Sequence, residues 1–209
     1  MDITVIFLLG LIVALLGVIP PGLLNMTAAK ISLKEGPVRG VMFSIGVCIV
    51  VIAQTYLAAI FARQLSNHLE IVDVLQRVAF VIFVLITIYF LFIAKKEPVE
   101  VEEPARWSKK GRFFQGVFLS SINIFPIPYQ AYMTITLASF NLLDFSQISI
   151  ISYVAGAAMG TFVMLYIYMF FFDKIKGKSI TSQKSMNYLI GSITAIISII
   201  TLINIIKEM

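Results

Sequence analysis

Among the uncharged amides in the apolar stretches of this 209-residue chain, Asn25, Gln54, Asn123 and Gln130 stand in or near the places where helices break. Pro20, Pro21 and Gly22 precede Asn25, and Pro126 and Pro128 lie between Asn123 and Gln130. Proline removes a backbone donor and glycine admits dihedrals that a helix interior does not use, so both places read as helix breaks with freed backbone groups. Amides beside freed amide and carbonyl groups can hydrogen-bond a polar solute, but they supply no nucleophile, acid or base. Other chemistry is scarce. The one histidine, His68, stands beside Asn67 and Glu70 in a segment read as a loop, and the one cysteine, Cys48, lies in an apolar run as a packing residue. A single cysteine excludes an intrachain disulfide and an intrachain thiol electron carrier. The residue types for a fixed divalent metal or a hydrolytic centre are likewise missing. The expectation is a non-enzyme with no cofactor and no metal.

The elements that must position these amides are apolar. The chain is 59% hydrophobic with mean hydropathy +0.96, outside the range of ordinary soluble domains. A helix needs roughly 20 mainly apolar residues to cross a bilayer. The pattern predicts an all-α integral membrane protein with six transmembrane helices at 3–24, 39–60, 72–94, 113–137, 147–172 and 186–206. Segments such as 78–94 and 187–206 are apolar all round and lack the water-facing side of a soluble helix. The first run begins with Asp2, not a basic stretch, and shows no small-residue cleavage site, so it reads as a retained span.

Charge sets the orientation. Lys30, Lys34 and Arg39 lie between spans one and two; Lys95, Lys96, Arg106, Lys109, Lys110 and Arg112 between three and four; and Lys174, Lys176, Lys178 and Lys184 between five and six. Only Arg63, Arg77 and Lys207 fall on the other side. Positive-inside topology then places both termini outside the cytoplasm. The net charge of +5 is spread over the loops of one membrane face, where it suits anionic lipid headgroups and not nucleic acid.

The loop "KKEPVEVEEPARWSKKGR" (residues 95–112) divides the chain into a first three-helix half, 1–94, and a second, 113–209, within a single membrane domain. Related halves of three spans each must insert in opposite orientations, the inverted-repeat arrangement of many secondary transporters. Both halves open with a span broken by prolines beside an asparagine. Both continue with small residues four apart: Gly36, Gly40, Ser44 and Cys48 in one, Ser152, Gly156 and Gly160 in the other. In lipid, broken helix is tolerated where it is packed in protein or lines a cavity. Residues 19–26 and 123–130 are therefore expected to face each other across a pseudo-symmetry axis. Their helix ends would hold a small zwitterion, with a carboxylate at a helix N-terminus and an ammonium on freed carbonyls. Thr27, Tyr129, Tyr132 and Thr134 add hydrogen-bonding groups nearby, whereas Tyr89, Tyr153, Tyr166 and Tyr168 are assigned to interfaces and packing.

The stretch "PPGLLNMTAAKISLKEGPVRGVMFSIG" resembles the first signature of the LysE/RhtB amino-acid exporters: Pro20, Gly22 and Asn25 match its broken element, and Glu35, Gly36, Gly40 and Gly46 fit the glycine spacing after it. The second signature, an Asn-Pro pair often followed by lysine, is looser here, since "INIFPIPYQ" separates Asn123 from Pro126. The resemblance implies export of an amino acid or similar metabolite across the inner membrane, usually by proton antiport. Relatives often carry an acid in the second span, where this chain reads "VCIVVIAQTYLAAI" and offers only Gln54 and Tyr56. No Asp, Glu, Lys, Arg or His stands near a span centre, and the nearest acids, Asp73, Asp144 and Asp173, sit at span ends. Proton coupling then rests on an end-lying acid or on the substrate's own ionisation, or is absent. The expected partners are a small zwitterionic amino acid, the lipid bilayer and protons, with a homodimer among the states open to it. The rival readings are a membrane scaffold or assembly protein, which predicts no cavity between residues 20–25 and 123–130, and a metal-ion carrier, disfavoured by its missing ligands.

Overall fold

The computed structural model describes residues 2–20, 22–66, 69–93, 107–175 and 183–207. Among them the chain forms eight α-helices and no strand: α1 (Ile3–Val18), α2 (Leu23–Glu35), α3 (Pro37–Ser66), α4 (Leu69–Ile88), α5 (Lys109–Ile122), α6 (Pro126–Ser139), α7 (Gln147–Ile175) and α8 (Gln183–Lys207). A π-helical turn, Tyr89–Ile93, continues α4. Pro21, His68, most of the midpoint loop, Lys176 and Lys178 lie outside the described residues. Helices α3 and α7 are long and apolar enough to cross a membrane, and α1 with α2 passes the same test as a pair bent by 84°.

The first and fourth expected spans are each two helices, for reasons local to the chain. Helix α1, capped by the Asp2 carboxylate accepting from the Thr4 amide, ends at Val18 ahead of Pro20. Helix α5, capped by Ser108 accepting from the Gly111 amide, ends at Ile122, and Asn123 turns extended. Pro126 opens α6 and Pro128 follows within its first turn. Prolines there forfeit no helical hydrogen bond, because the first amides of a helix have no intrahelical acceptor. They therefore begin α6 where a continuous span would have been kinked.

The connections are equally local. Gly36 ends α2 at φ +94°, a left-handed conformation that disfavours any side chain, and Pro37 starts α3. Asn141, at φ 54°, closes α6 with its amide on the Ala138 carbonyl while the Leu142 amide bonds Leu137, the paired bonds of a Schellman stop. Asp144 then accepts from Ser146 and Ser149 at the start of α7, and those hydroxyls hold its carboxyl below the ordinary carboxylate range.

The chain forms two compact units that cut across its halves. The first comprises Met1–Gln64 and Val101–Asp173; the second comprises Leu65–Glu100 and Lys174–Met209. Inside the first unit two helix crossings depend on glycine. A methyl group at Gly156 of α7 would fall 2.0 Å from the Phe7 carbonyl oxygen of α1, and one at Gly10 would fall 2.2 Å from that of Tyr153. A methyl group at Gly116 of α5 would fall 2.1 Å from the Phe43 carbonyl of α3, and one at Gly46 would fall 2.2 Å from that of Phe113. These backbones are in direct contact, as small residues permit where lipid offers no hydrophobic drive between helices. Ser152 bonding the Ile3 carbonyl makes α1 parallel to α7, and Ser120 reaching Val47 makes α5 parallel to α3. Helices α3 and α7 run antiparallel, with Ser44 beside Met169 at one end and Tyr56 bonded to Gln147 at the other. Phe43, Val47, Val51, Leu165 and Met169 fill the core between them, joined by Ala28 and Ile31 of α2. In the second unit α4 and α8 meet through the Thr87 and Thr194 hydroxyls at 2.8 Å, and Leu91 of the π turn lies over Gly191.

Candidate functional site: a cavity at two broken helices

A cavity of about 440 Å³ lies inside the first unit, at the junctions of α1 with α2 and of α5 with α6. Pro20, Gly22, Asn25, Asn123, Pro126 and Gln130 all line it. The two proline breaks, roughly a hundred residues apart in sequence, thus share one space. Gln54 and Pro128 do not line it, and Pro21 lies outside the described residues. Apolar walls come from Val47 and Val51 of α3, Leu119 of α5 and Leu165 of α7. No Asp, Glu, Lys, Arg or His is among the lining residues.

The breaks expose less backbone than their sequences promise. Asn25 turns its amide nitrogen back onto the carbonyls of Val18, at 2.7 Å, and Pro20, at 3.0 Å. Tyr168 of α7 donates to the Ile19 carbonyl at 2.7 Å. Gln54 does the corresponding work at the second break, donating from α3 to the carbonyls of Ser120, at 3.2 Å, and Asn123, at 2.9 Å. Each helix end whose carbonyls the prolines orphan is therefore capped by an amide, which avoids the cost of burying an unpaired carbonyl. Two acceptors in one place fix the orientation of each amide, since only its NH2 can donate to both. The amide oxygens of Asn25 and Gln54 are consequently buried without a hydrogen-bond partner among the described residues.

Two of the tyrosines assigned to packing hold this region in place. Tyr153, fully buried, donates to the Gln130 side-chain oxygen at 2.7 Å, and Tyr168 closes the first break as described. Tyr129 of α6 packs its ring over Gly17 and donates to the Val13 carbonyl at 2.9 Å, tying α6 to α1. The signal available in the sequence was their position: a phenol within an otherwise apolar helix needs a partner, and Tyr153 and Tyr168 lie about four turns apart on the same helix. Thr161, also on α7, lines the cavity, and nothing in its sequence context sets it apart. Tyr132 and Thr27 do not line it, and the Thr134 hydroxyl bonds back to the Gln130 carbonyl.

Gly22 is not held by geometry. Its backbone is extended, at φ −90° and ψ −178°, and an added methyl group would meet only the Pro20 oxygen, at 3.9 Å. It leaves space beside the cavity and does not enforce a close backbone approach.

A buried ion pair stands at the far end of α2. Arg112 of α5 grips both carboxylate oxygens of Glu35, bonds Gln115 at 2.6 Å and lies over the Trp107 ring at 5.6 Å. Arg39 donates to the Glu35 carbonyl at 2.9 Å. The guanidinium hydrogen bonds hold the Glu35 carboxyl below its ordinary range despite its burial. Nothing in the charge census separated this pair from the surrounding loop charges.

No protein-family model, curated protein or solved structure matches the chain.

Proposed function

We propose that the chain is a membrane carrier of six spans, built from two inverted three-helix repeats, that exports a small neutral amino acid or related metabolite from the cytoplasm. The carrying observation is that both proline breaks line one cavity of about 440 Å³ free of charged residues, where the scaffold reading called for none. Uncharged walls suit a solute without net charge, because a buried net charge would lack a counter-charge. Two further features support the repeats. The crossing of α1 on α7 and that of α5 on α3 are the same glycine contact with the halves exchanged, each pair parallel and the two pairs opposed. Tyr168 of α7, bonding the Ile19 carbonyl, and Gln54 of α3, bonding that of Asn123, close the two breaks from corresponding helices of the opposite half.

The spans of this reading lie in α1 with the opening of α2 (3–24), α3 (39–60), α4 with its π turn (72–94), α5 with α6 (113–137), α7 (147–172) and α8 (186–206), so that Glu35 stands outside them. Contact between Glu35 and Arg112 brings the basic segments around Lys34 and Lys110 to one end, as a cytoplasmic face requires, with both termini on the opposite side of an inner membrane. The LysE/RhtB resemblance supplies amino-acid export as the activity. It also implies proton antiport, for which Glu35 is an unsuitable carrier, since Arg112 keeps it ionised; the exchanged proton would ride on the substrate.

The test is efflux from cells loaded with dipeptides, comparing wild type with the Asn25→Ala, Asn123→Ala double variant. Selective appearance of one or a few amino acids in the medium, lost in the variant, is expected. Identical efflux with and without the protein across the panel returns the chain to the scaffold reading.

A further inference from the structure

Taking the transport reading as its basis, we infer that the Glu35–Arg112 pair gates the cavity on its cytoplasmic side, and that the gate opens when the Glu35 carboxylate passes from Arg112 to Arg39. The pair joins two of the helices that wall the cavity, at their ends remote from it. Leu24 and Asn25 at the start of α2 and Leu119 and Ile122 at the end of α5 line the space, whereas Glu35 is the last residue of α2 and Arg112 stands in the first turn of α5. Glu35 lies roughly 15 Å along α2 from Asn25, by the rise of an α-helix. Between them Ala28 and Ile31 pack with Phe43 and Met169 in one buried cluster, which fills the way from the cavity to the pair. The seam that corresponds when the halves are exchanged runs between α1 and α6, where Tyr129 bonds the Val13 carbonyl and neither helix contains a charged residue. One seam is clasped by charge and the other is not, so the carrier without substrate rests closed towards the cytoplasm.

A second cation is already in place to receive the carboxylate. Arg39 stands near the start of α3, with its Nε 3.9 Å from a Glu35 carboxylate oxygen and its side chain 40% exposed. That Nε is buried and lacks a hydrogen-bond partner among the described residues, while Nη1 of the same guanidinium holds the Glu35 carbonyl. A buried donor left unmade beside a carboxylate is costly, and a move of Glu35 by about 1 Å would make the bond. Parting a buried ion pair ordinarily strands a charge. Transfer to Arg39 avoids this, because the carboxylate stays paired while Arg112 retains Gln115 and the Trp107 ring. Gly36, the left-handed residue between α2 and α3, absorbs the change of backbone angle, and α3 and α5 remain locked at Gly46 and Gly116, so α2 is the element that moves.

Thiol labelling of the full-length protein in membrane vesicles tests this, with Leu119→Cys as the cavity probe in a Cys48→Ala background and a membrane-impermeant maleimide applied from either face. Glu35→Leu with Arg112→Met removes both charges and so strands neither. The double variant is expected to raise labelling from the cytoplasmic face at least tenfold and to leave labelling from the other face within about twofold. Glu35→Gln serves as the second variant should the double variant fail to fold, with a rise of at least threefold in the same direction. Arg39→Gln, which removes the receiving cation, is expected to slow cytoplasmic labelling at least threefold. Unchanged cytoplasmic labelling in a folded variant of the pair, or an equal rise from both faces, overturns the gate. Arg39→Gln labelled as fast as the intact protein overturns the transfer. These results are separable from the transport reading: gated labelling in a protein that moves no amino acid keeps the gate and discards the exporter, whereas efflux with ungated labelling does the reverse.

Discussion

The guanidinium of Arg112 and the carboxylate of Glu35 form a two-pronged ion pair between α5 and α2, with side chains only 1% and 3% exposed. A buried pair of this kind contributes little against an apolar replacement of both members, yet breaking it strands a charge, at a cost of about 3–5 kcal/mol. Arg112→Met is therefore expected to lower the thermal unfolding midpoint in detergent sharply, and Glu35→Gln, which keeps a polar partner, less so. The pH dependence has a definite sign. Glu35 has a folded-state pKa below its unfolded value, so its stabilisation is complete above the ordinary carboxylate range and is lost as pH falls through the folded pKa. Unfolding midpoints measured from pH 7 down to pH 3 should drop in wild type more steeply than in Glu35→Gln. Parallel curves would show that the pair adds no stability.

Glycines at the helix crossings and the glycine beside the cavity should respond oppositely to alanine. Gly116→Ala and Gly156→Ala push a methyl group to within 2.1 Å and 2.0 Å of a facing carbonyl oxygen, contacts that neither rigid backbone can yield. A loss of about 1–3 kcal/mol is expected for each, the usual cost of overpacking. Gly22→Ala has open space and should fold and transport as wild type, while Gly22→Leu should insert normally and abolish efflux by filling the cavity wall. Denaturation in detergent together with dipeptide-loaded efflux reads both effects, and a well-expressed, fully active Gly22→Leu would disconnect the cavity from the pathway.

Removal of the amide caps should be felt as backbone disorder at the breaks. Gln54→Leu strands the Asn123 carbonyl, while that of Ser120 keeps the Asn123 amide, and Asn25→Leu strands those of Val18 and Pro20, each variant expected to cost about 1–3 kcal/mol for a buried group left unpaired. Hydrogen exchange should rise locally, at residues 120–125 in the first variant and 18–24 in the second. Gln54→Glu is expected to be worse than Gln54→Leu above neutral pH, because a carboxylate facing two carbonyls repels both, and to recover on acidification, when the protonated acid regains one donor. An unchanged exchange pattern in all three would show that the carbonyls find other partners.

Much of this was legible one residue at a time. Proline spacing located both breaks, the apolar runs located the helices, and the small residues at 156 and 160 marked a helix face that meets another closely, whereas the stripe from Gly36 to Cys48 missed the contact at Gly46. The roles of the polar residues were not legible. Asn25 and Gln54 read as groups for a solute, yet their donors are spent on the chain's own carbonyls, and Tyr153 and Tyr168 read as packing, yet they hold Gln130 and the first break. A side chain announces that it needs a partner, but not which one. The partners here lie up to 149 residues away, as Tyr168 and Ile19 do.

What the sequence by itself determined is local: where backbone donors are missing, which stretches are too apolar to face water on every side, and which loops carry the cations. Each follows from properties of single residues and their immediate neighbours, namely proline's absent N–H, side-chain hydrophobicity and formal charge. Only the tertiary structure decided that the two breaks share one cavity and that Glu35 is held by Arg112. Those outcomes depend on how α1, α3, α5 and α7 cross, and the crossings are set by backbone contacts at Gly10, Gly46, Gly116 and Gly156, between residues that the chain keeps more than sixty positions apart.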